Sequence, residues 1–229
     1  MIATSVPITP RIWAERGRRR ALRLGIDPDR LPPGQSPTTK FPVLTVGRTP
    51  RVAPEDFSLE LLGEVQRPFA LGWDELLAAP QVEQVVDVHC VTRWSQFGMA
   101  WRGVLLRDLI ERAAPTERAT HAMVHAHGDY TTNLPLEALL DDDVLIAHTL
   151  DGAPLAREHG GPARLLVPRR YLWKSAKWVS AIELLDHDEP GIWERNGYHN
   201  EGDPWREERR SSLPFVALRR RSERPRVLG

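Results

Sequence analysis

Apolar and polar positions alternate along Phe57-Ser-Leu-Glu-Leu-Leu-Gly-Glu-Val65, which predicts a half-buried strand closed by a turn at Gln66-Arg67-Pro68. Trp73 to Ala79 reads as a short helix stopped by Pro80, and Gln81 to His89 as a strand running directly into Cys90. Leu105, Leu109, Ile110 and Ala113 share one face at helical spacing, so Val104 to Ala113 reads as a helix. Strands follow at His121 to His127 and Tyr130 to Leu134, then a short helix at Leu136 to Leu140 and a strand at Val144 to Leu150 ending in the turn Asp151-Gly152. Arg164 to Pro168 and Trp178 to Leu185 complete the expected strands. Upstream, residues 1 to 56 are rich in Pro, Arg, Gly and Thr, with one helical segment at Ile12 to Leu24. They read as an arm wrapped over a core at 57–210, and 211–229 as a surface tail with arginines. Short strands and helices in this order give an α+β class.

Twenty prolines reinforce that picture, since frequent proline disfavours long helices. The 31 basic and 31 acidic residues cancel, which gives no electrostatic case for nucleic acid. No apolar run reaches the roughly 18 residues needed to span a membrane. Met1 to Ile12 carries Pro7 and Pro10 and no apolar core of a signal sequence, and the segment after Arg18-Arg19-Arg20 is too charged for export. With one cysteine in 229 residues, the expected compartment is the cytoplasm.

That lone cysteine, Cys90, excludes an internal disulfide, a multi-cysteine zinc site and an iron–sulfur cluster. Three readings stay open: a buried inert thiol, a nucleophile, or a thiolate ligand to a metal whose other ligands come from elsewhere. A nucleophile implies a thiol-dependent hydrolase with a base on the strand carrying His121, His125 and His127. His125 and His127 are spaced to face one side of that strand, but a zinc site lacks a third ligand at suitable spacing. His89 falls on the face opposite Cys90. Farther on, His159-Gly-Gly-Pro-Ala-Arg164 precedes Lys174-Ser-Ala-Lys177-Trp178, two cations and a hydroxyl bracketing backbone amides. Such a loop suits a phosphate.

Cys90-Val-Thr-Arg-Trp-Ser95, Asp129-Tyr-Thr-Thr-Asn-Leu-Pro-Leu136, His159-Gly-Gly-Pro-Ala-Arg164 and Lys174-Ser-Ala-Lys-Trp178 occur in that order. Together they resemble the molybdopterin-binding domain of the sulfite oxidase family, above all its small stand-alone bacterial members, over roughly residues 40 to 190. The resemblance implies the family's mixed, sheet-rich α+β fold and two-electron oxygen-atom transfer at a molybdenum-pterin cofactor without a nucleotide. Carried over by motif, Cys90 is the thiolate ligand to molybdenum. His159 and Arg164 contact the pterin and flank the metal pocket, where Arg164, with Arg93 or Tyr130, also binds the substrate, and Ser175, Ala176 and Lys177, with Lys174 beside them, hold the pterin phosphate. Tyr130 matches an active-site tyrosine, with Asp129 in place of the family's glycine, and Arg93 lies near a substrate-binding arginine. The run Cys-Val-Thr-Arg departs from the family's Cys-x-x-Asn-Arg, which turns the expectation from sulfite toward other oxyanions, sulfoxides or N-oxides. The resemblance also implies a monomer and a separate electron-transfer protein, because no haem-attachment motif is present. An inactive pterin-binding module is the remaining alternative.

Overall fold

The computed structural model describes residues 10–211. Helix α1 (Pro10–Arg23) leads into an extended segment holding the two-residue strand β1 (Ser36–Pro37). Next come β2 (Ser58–Gly63), β3 (Phe69–Gly72) and α2 (Trp73–Ala78), whose Glu75 carboxylate accepts from the Gly72 amide at 3.0 Å. Strands β4 (Val82–His89) and β5 (Trp94–Leu105) form a long antiparallel pair, and α3 (Leu106–Ala113) follows β5 without a break. Strands β6 (His121–Ala126) and β7 (Tyr130–Pro135) form a hairpin, followed by α4 (Leu136–Leu139). The chain closes with β8 (Leu145–Leu150), β9 (Ala153–Pro154), β10 (Arg164–Leu166), β11 (Val179–Leu185) and α5 (Ile192–Arg195).

Two sheets result. One has the order β1-β5-β8-β10, with β4 also on β5 and β9 on β8; the other runs β3-β2-β11-β6-β7. In the second, β11 pairs parallel with β2 and antiparallel with β6. The sheets share a core because inward residues of both are fully buried, among them Leu59, Leu61, Val124 and Ile182 from one and Val104, Ile146 and Leu165 from the other. Helix α3 adds Leu106, Leu109, Ile110 and Ala113 to that core. A second cluster around Val88, Met99, Trp101 and Leu166 fills the first sheet's other face. At about 25 cal/mol per Å² of apolar area, these side chains supply the main driving force for folding.

Sequence patterning misses β5 and β3. Trp94 to Leu105 is strand on both sides of Gly98, which takes φ 64° and breaks the alternation, and its pairing shifts register between Val86 and Val88 of β4. The helix expected from Val104 begins at Leu106, because Val104 and Leu105 pair with Ile146 and Leu145 of β8. The expected tail falls almost wholly outside the described residues. Among those described, no helix is long and apolar enough to cross a membrane.

Candidate active site

Cys90 stands one residue beyond β4, where its amide donates to the Trp94 carbonyl and its carbonyl accepts from the buried Gln35 side chain at 3.0 Å. The thiol is 6 % exposed and lines a cavity of about 520 Å³, within the range of small-molecule sites. The cavity lies where the two sheets meet. Its walls come from the Cys90–Trp94 loop, the 41–50 segment, the β6–β7 turn, the loop holding His159 and Arg164, the Leu172–Trp178 loop, and Trp193 with Tyr198.

Burial pushes the Cys90 thiol up, opposed by hydrogen bonds from Thr92 and, more weakly, by the Arg209 cation. The Thr92 hydroxyl donates to Sγ at 3.2 Å. His89 is turned away from the thiol: its Nδ1 meets the Ser95 hydroxyl at 2.8 Å, and burial drives its pKa to about 4. The histidines of β6 also separate. His125 pairs with Glu183 at 2.9 Å and His121 with Thr120 at 3.0 Å, while His127, past the strand end, lines the cavity. The hydrogen bond on Sγ comes from Thr92, and among the described residues no histidine is hydrogen-bonded to the thiol as a thiol hydrolase's base would be.

On another wall stand two cations without a carboxylate partner among the described residues. Arg164, 3 % exposed, donates to the carbonyls of Leu165, His159 and Ser175 at 3.3, 2.9 and 2.7 Å. Lys177 donates to the Leu44 and Glu158 carbonyls at 2.8 and 2.9 Å and to the Thr45 hydroxyl at 3.0 Å. Burial lowers Arg164 to about 10; burial and then the Arg164 charge lower Lys177 to about 8. Neutral acceptors do not compensate two clustered charges, so the arrangement favours an anion. Gly160 brings them together: at φ 109°, a Cβ there would lie 2.9 Å from Lys177 Cβ and 3.1 Å from Arg164 Cβ.

Of the residues expected from sequence, the cavity gathers Cys90, Tyr130, His159, Arg164, Ser175, Ala176 and Lys177. Tyr130 donates its hydroxyl to the Trp173 carbonyl at 2.5 Å, and burial pushes its pKa well up, so it stays protonated. Asp129 before it takes φ 64°, a left-handed conformation that glycine adopts freely and aspartate tolerates. Two expected residues lie elsewhere. Arg93, at φ 75°, sits outside the cavity lining, its Nη1 held 3.4 Å from both the Gly34 carbonyl and Glu207. Lys174 is also absent from the lining. Fully buried, it points under β7, pairing with Glu194 at 2.7 Å and donating to the Asn133 carbonyl at 2.7 Å.

Sequence reasoning passed over Thr92, and Phe41, whose ring stacks on His159 at 4.2 Å and 6°. The available signal was the apolar run Phe41-Pro-Val-Leu-Thr-Val46 inside an otherwise polar arm.

Does a molybdenum-pterin group suit this lining? Trp94 and His127 belong to the lining, but Trp94 Nε1 and His127 Nε2 are buried away from the cavity space as well as unpartnered among the described residues, so the fit rests on the thiol and the cations. With a soft thiol on one wall and two uncompensated cations on another, the donor set fits a sulfur-bound metal carried on an anionic organic group.

The family described as oxidoreductase molybdopterin binding domain matches residues 46–193, more than half of the chain. The chain belongs to the sulfite oxidase family of molybdopterin-binding oxidoreductases. It is 43 % identical over 183 residues to the uncharacterized oxidoreductase YuiH of Bacillus subtilis (strain 168), covering 79 % of this chain and 91 % of that protein. It is 31 % identical over 160 residues to the protein-methionine-sulfoxide reductase catalytic subunit MsrP of Gluconobacter oxydans, covering 62 % of this chain and 51 % of the relative. The chain thus spans about half the length of that MsrP. The sulfane dehydrogenase SoxCD from Paracoccus pantotrophus superposes with a TM-score of 0.58 at 22 % identity, covering 66 % of this chain and 43 % of that one. That likeness shows the shared fold, mixed sheets with few short helices. As a family member, the protein is an enzyme with a molybdenum-pterin cofactor.

Proposed function

We propose that this oxidoreductase carries out oxygen-atom transfer on a small oxyanion, sulfoxide or N-oxide, with Cys90 as the thiolate ligand to molybdenum. The observation that carries the reading is one cavity holding a buried thiol beside two cations that lack a carboxylate partner among the described residues. When bound, the molybdenum-pterin group supplies a two-electron redox centre that accepts or donates an oxygen atom. The chain's own residues do the rest. Cys90 gives up its proton on ligation, which offsets the burial that otherwise keeps it a thiol. Thr92 holds the sulfur in place through its hydroxyl. Arg164 and Lys177 receive the phosphate of a pterin without a nucleotide, and His159, Ser175 and Ala176 hold the pterin beside them. Tyr130, kept protonated, fixes the cavity wall through Trp173 and presents its phenol oxygen to the substrate. The name of the MsrP relative supports a sulfoxide within the substrate class. Electrons pass to or from a separate protein, the enzyme acts as a monomer, and residues 57–210 form the catalytic domain with 1–56 packed as an arm.

The test is elemental analysis of protein made in cells able to assemble the pterin, beside Cys90→Ser. About one molybdenum per chain in the natural protein, strongly reduced in the variant while released pterin persists, is the expected result. Well-folded protein with neither molybdenum nor pterin refutes the proposal.

A further inference from the structure

Helix α1 carries six arginines and one glutamate in fourteen residues. Its narrow inner stripe, Gly17 and Ala21, is buried against the protein's own chain. Arg18 pairs with Asp29 at 3.1 Å and Arg19 with Glu15. Arg16, Arg20 and Arg23 have no carboxylate partner among the described residues, and all three are exposed. Their spacing of four and three residues places them on one ridge. Arg20 and Arg23 complement the helix's C-terminal dipole, but Arg16 lies too far back for that. A formal net charge of zero over the whole chain makes this ridge a local basic feature on an otherwise balanced protein.

The inner side of α1 leads to the thiol. Gly17 lies so close to Gln35 that a Cβ would sit 2.3 Å from the Gln35 carbonyl oxygen. The Gln35 side chain, 1 % exposed, donates to the Cys90 carbonyl at 3.0 Å. Strand β1, which follows directly, pairs in parallel with Trp94 and Ser95 beyond the Cys90 loop. The helix that carries the basic ridge thus reaches the backbone of Cys90 through one packed contact at Gly17 and one buried hydrogen bond.

Resting on the molybdenum-pterin reading, we infer that the outer face of α1 docks an acidic electron-transfer protein, which exchanges electrons with the Cys90 side of the cavity. Reduction of a sulfoxide or N-oxide to the sulfide or amine and water consumes two electrons and two protons, so the one-electron carrier is oxidised twice per turnover. In the opposite direction it is reduced twice. A membrane surface fits less well. Exposed Ile12 and Trp13 lie at one end of the helix and Leu22 and Leu24 at the other, and the stripe between the basic flanks is already occupied by the chain itself. A compact acidic protein needs only the continuous basic ridge.

The test uses a flavodoxin, an acidic one-electron carrier, against the natural protein and the triple variant Arg16→Glu, Arg20→Glu, Arg23→Glu. The expected result is an association rate at least tenfold lower for the variant at low salt, in both cofactor-loaded and cofactor-free protein. The difference disappears near 1 M salt, where the screening length falls to about 3 Å. Turnover with a small viologen dye stays unchanged, the urea midpoint falls only by the small cost of reversing Arg20 and Arg23 at the helix C-terminus, and Arg→Lys at the three sites restores the rate. Equal flavodoxin rates for variant and natural protein overturn the inference. So does a loss confined to binding of phosphatidylglycerol vesicles, which assigns the ridge to a membrane, or an equal loss of viologen turnover, which makes it structural. Protein that binds flavodoxin in this salt-sensitive way but takes up neither molybdenum nor pterin when made in cells able to assemble the cofactor fails the molybdenum reading and leaves the docking surface standing.

Discussion

Glu194→Gln removes one negative charge from a pair that is almost wholly shielded from water. Lys174 is 0 % and Glu194 2 % exposed, their charged atoms 2.7 Å apart. Glu194 Oε1 also accepts from the Trp173 indole at 2.9 Å and the Thr132 hydroxyl at 3.2 Å, so one carboxylate joins α5, β7 and the loop that leads to Ser175 and Lys177. Glutamine keeps the shape and loses the charge, leaving the lysine ammonium buried without compensation. Breaking a buried pair in this way costs about 3–5 kcal/mol, whereas an exposed pair is worth about 0–1. For a chain of this size, each kcal/mol moves the melting temperature by about 2–4 °C, so a fall of about 6–20 °C is expected. The pH dependence has a definite sign. Burial already holds Lys174 below its ordinary value, with Glu194 opposing. In the variant it falls further, so between that value and the unfolded lysine's the unfolded chain binds the extra proton. Stability of the variant therefore rises with pH through that window, and its deficit is larger near pH 7 than near pH 9.5. Urea denaturation at both values, with molybdenum content measured alongside, checks this. A loss below about 1 kcal/mol, or one that is flat with pH, refutes the assignment of Lys174 as a structural cation.

Two further outcomes follow from the anion wall. Lys177 in the free protein loses its proton near pH 8, so sulfate binding to cofactor-free protein holds steady below that value and weakens above it; isothermal titration shows this, and Lys177→Met abolishes the slope while lowering affinity at every pH. Gly160→Ala forces a Cβ within about 3 Å of Lys177 and Arg164 at a φ of 109°, and is expected to cost about 1–3 kcal/mol in urea unfolding and to deplete bound molybdenum.

How much of this was legible in sequence depends on the kind of force that fixes each part. Strand β2 and helix α3 announce themselves because one face of each packs into the core, which imposes a period the sequence must keep, and β8 because it is a continuous apolar run buried on both faces. Strand β5 escapes that test: it pairs with three strands, Gly98 interrupts its alternation, and both of its faces carry buried residues. At the site, Cys90, His159, Arg164 and Lys177 stood out by chemical type in ordered motifs, and the fold brings them to one cavity. Lys174 and Arg93 did not follow, although their chemistry looks identical on paper.

The difference between Lys174 and Lys177 is one of direction. They stand three residues apart around a single turn, and the turn sends one ammonium to a carboxylate under β7 and the other to carbonyls at the cavity wall. The compensated lysine satisfies its charge within the protein and has little left to offer an anion. The other, its pKa lowered to about 8 by burial and then by the Arg164 charge, with Glu158 opposing, has more to gain from an anion. Sequence spacing cannot distinguish these cases, because Glu194 lies on a distant element, twenty residues beyond Lys174. A cation's capacity to bind an anion turns on whether the fold has already supplied its counter-charge, which is why the proposed phosphate contact falls to Lys177 while Lys174 ties its loop to Glu194.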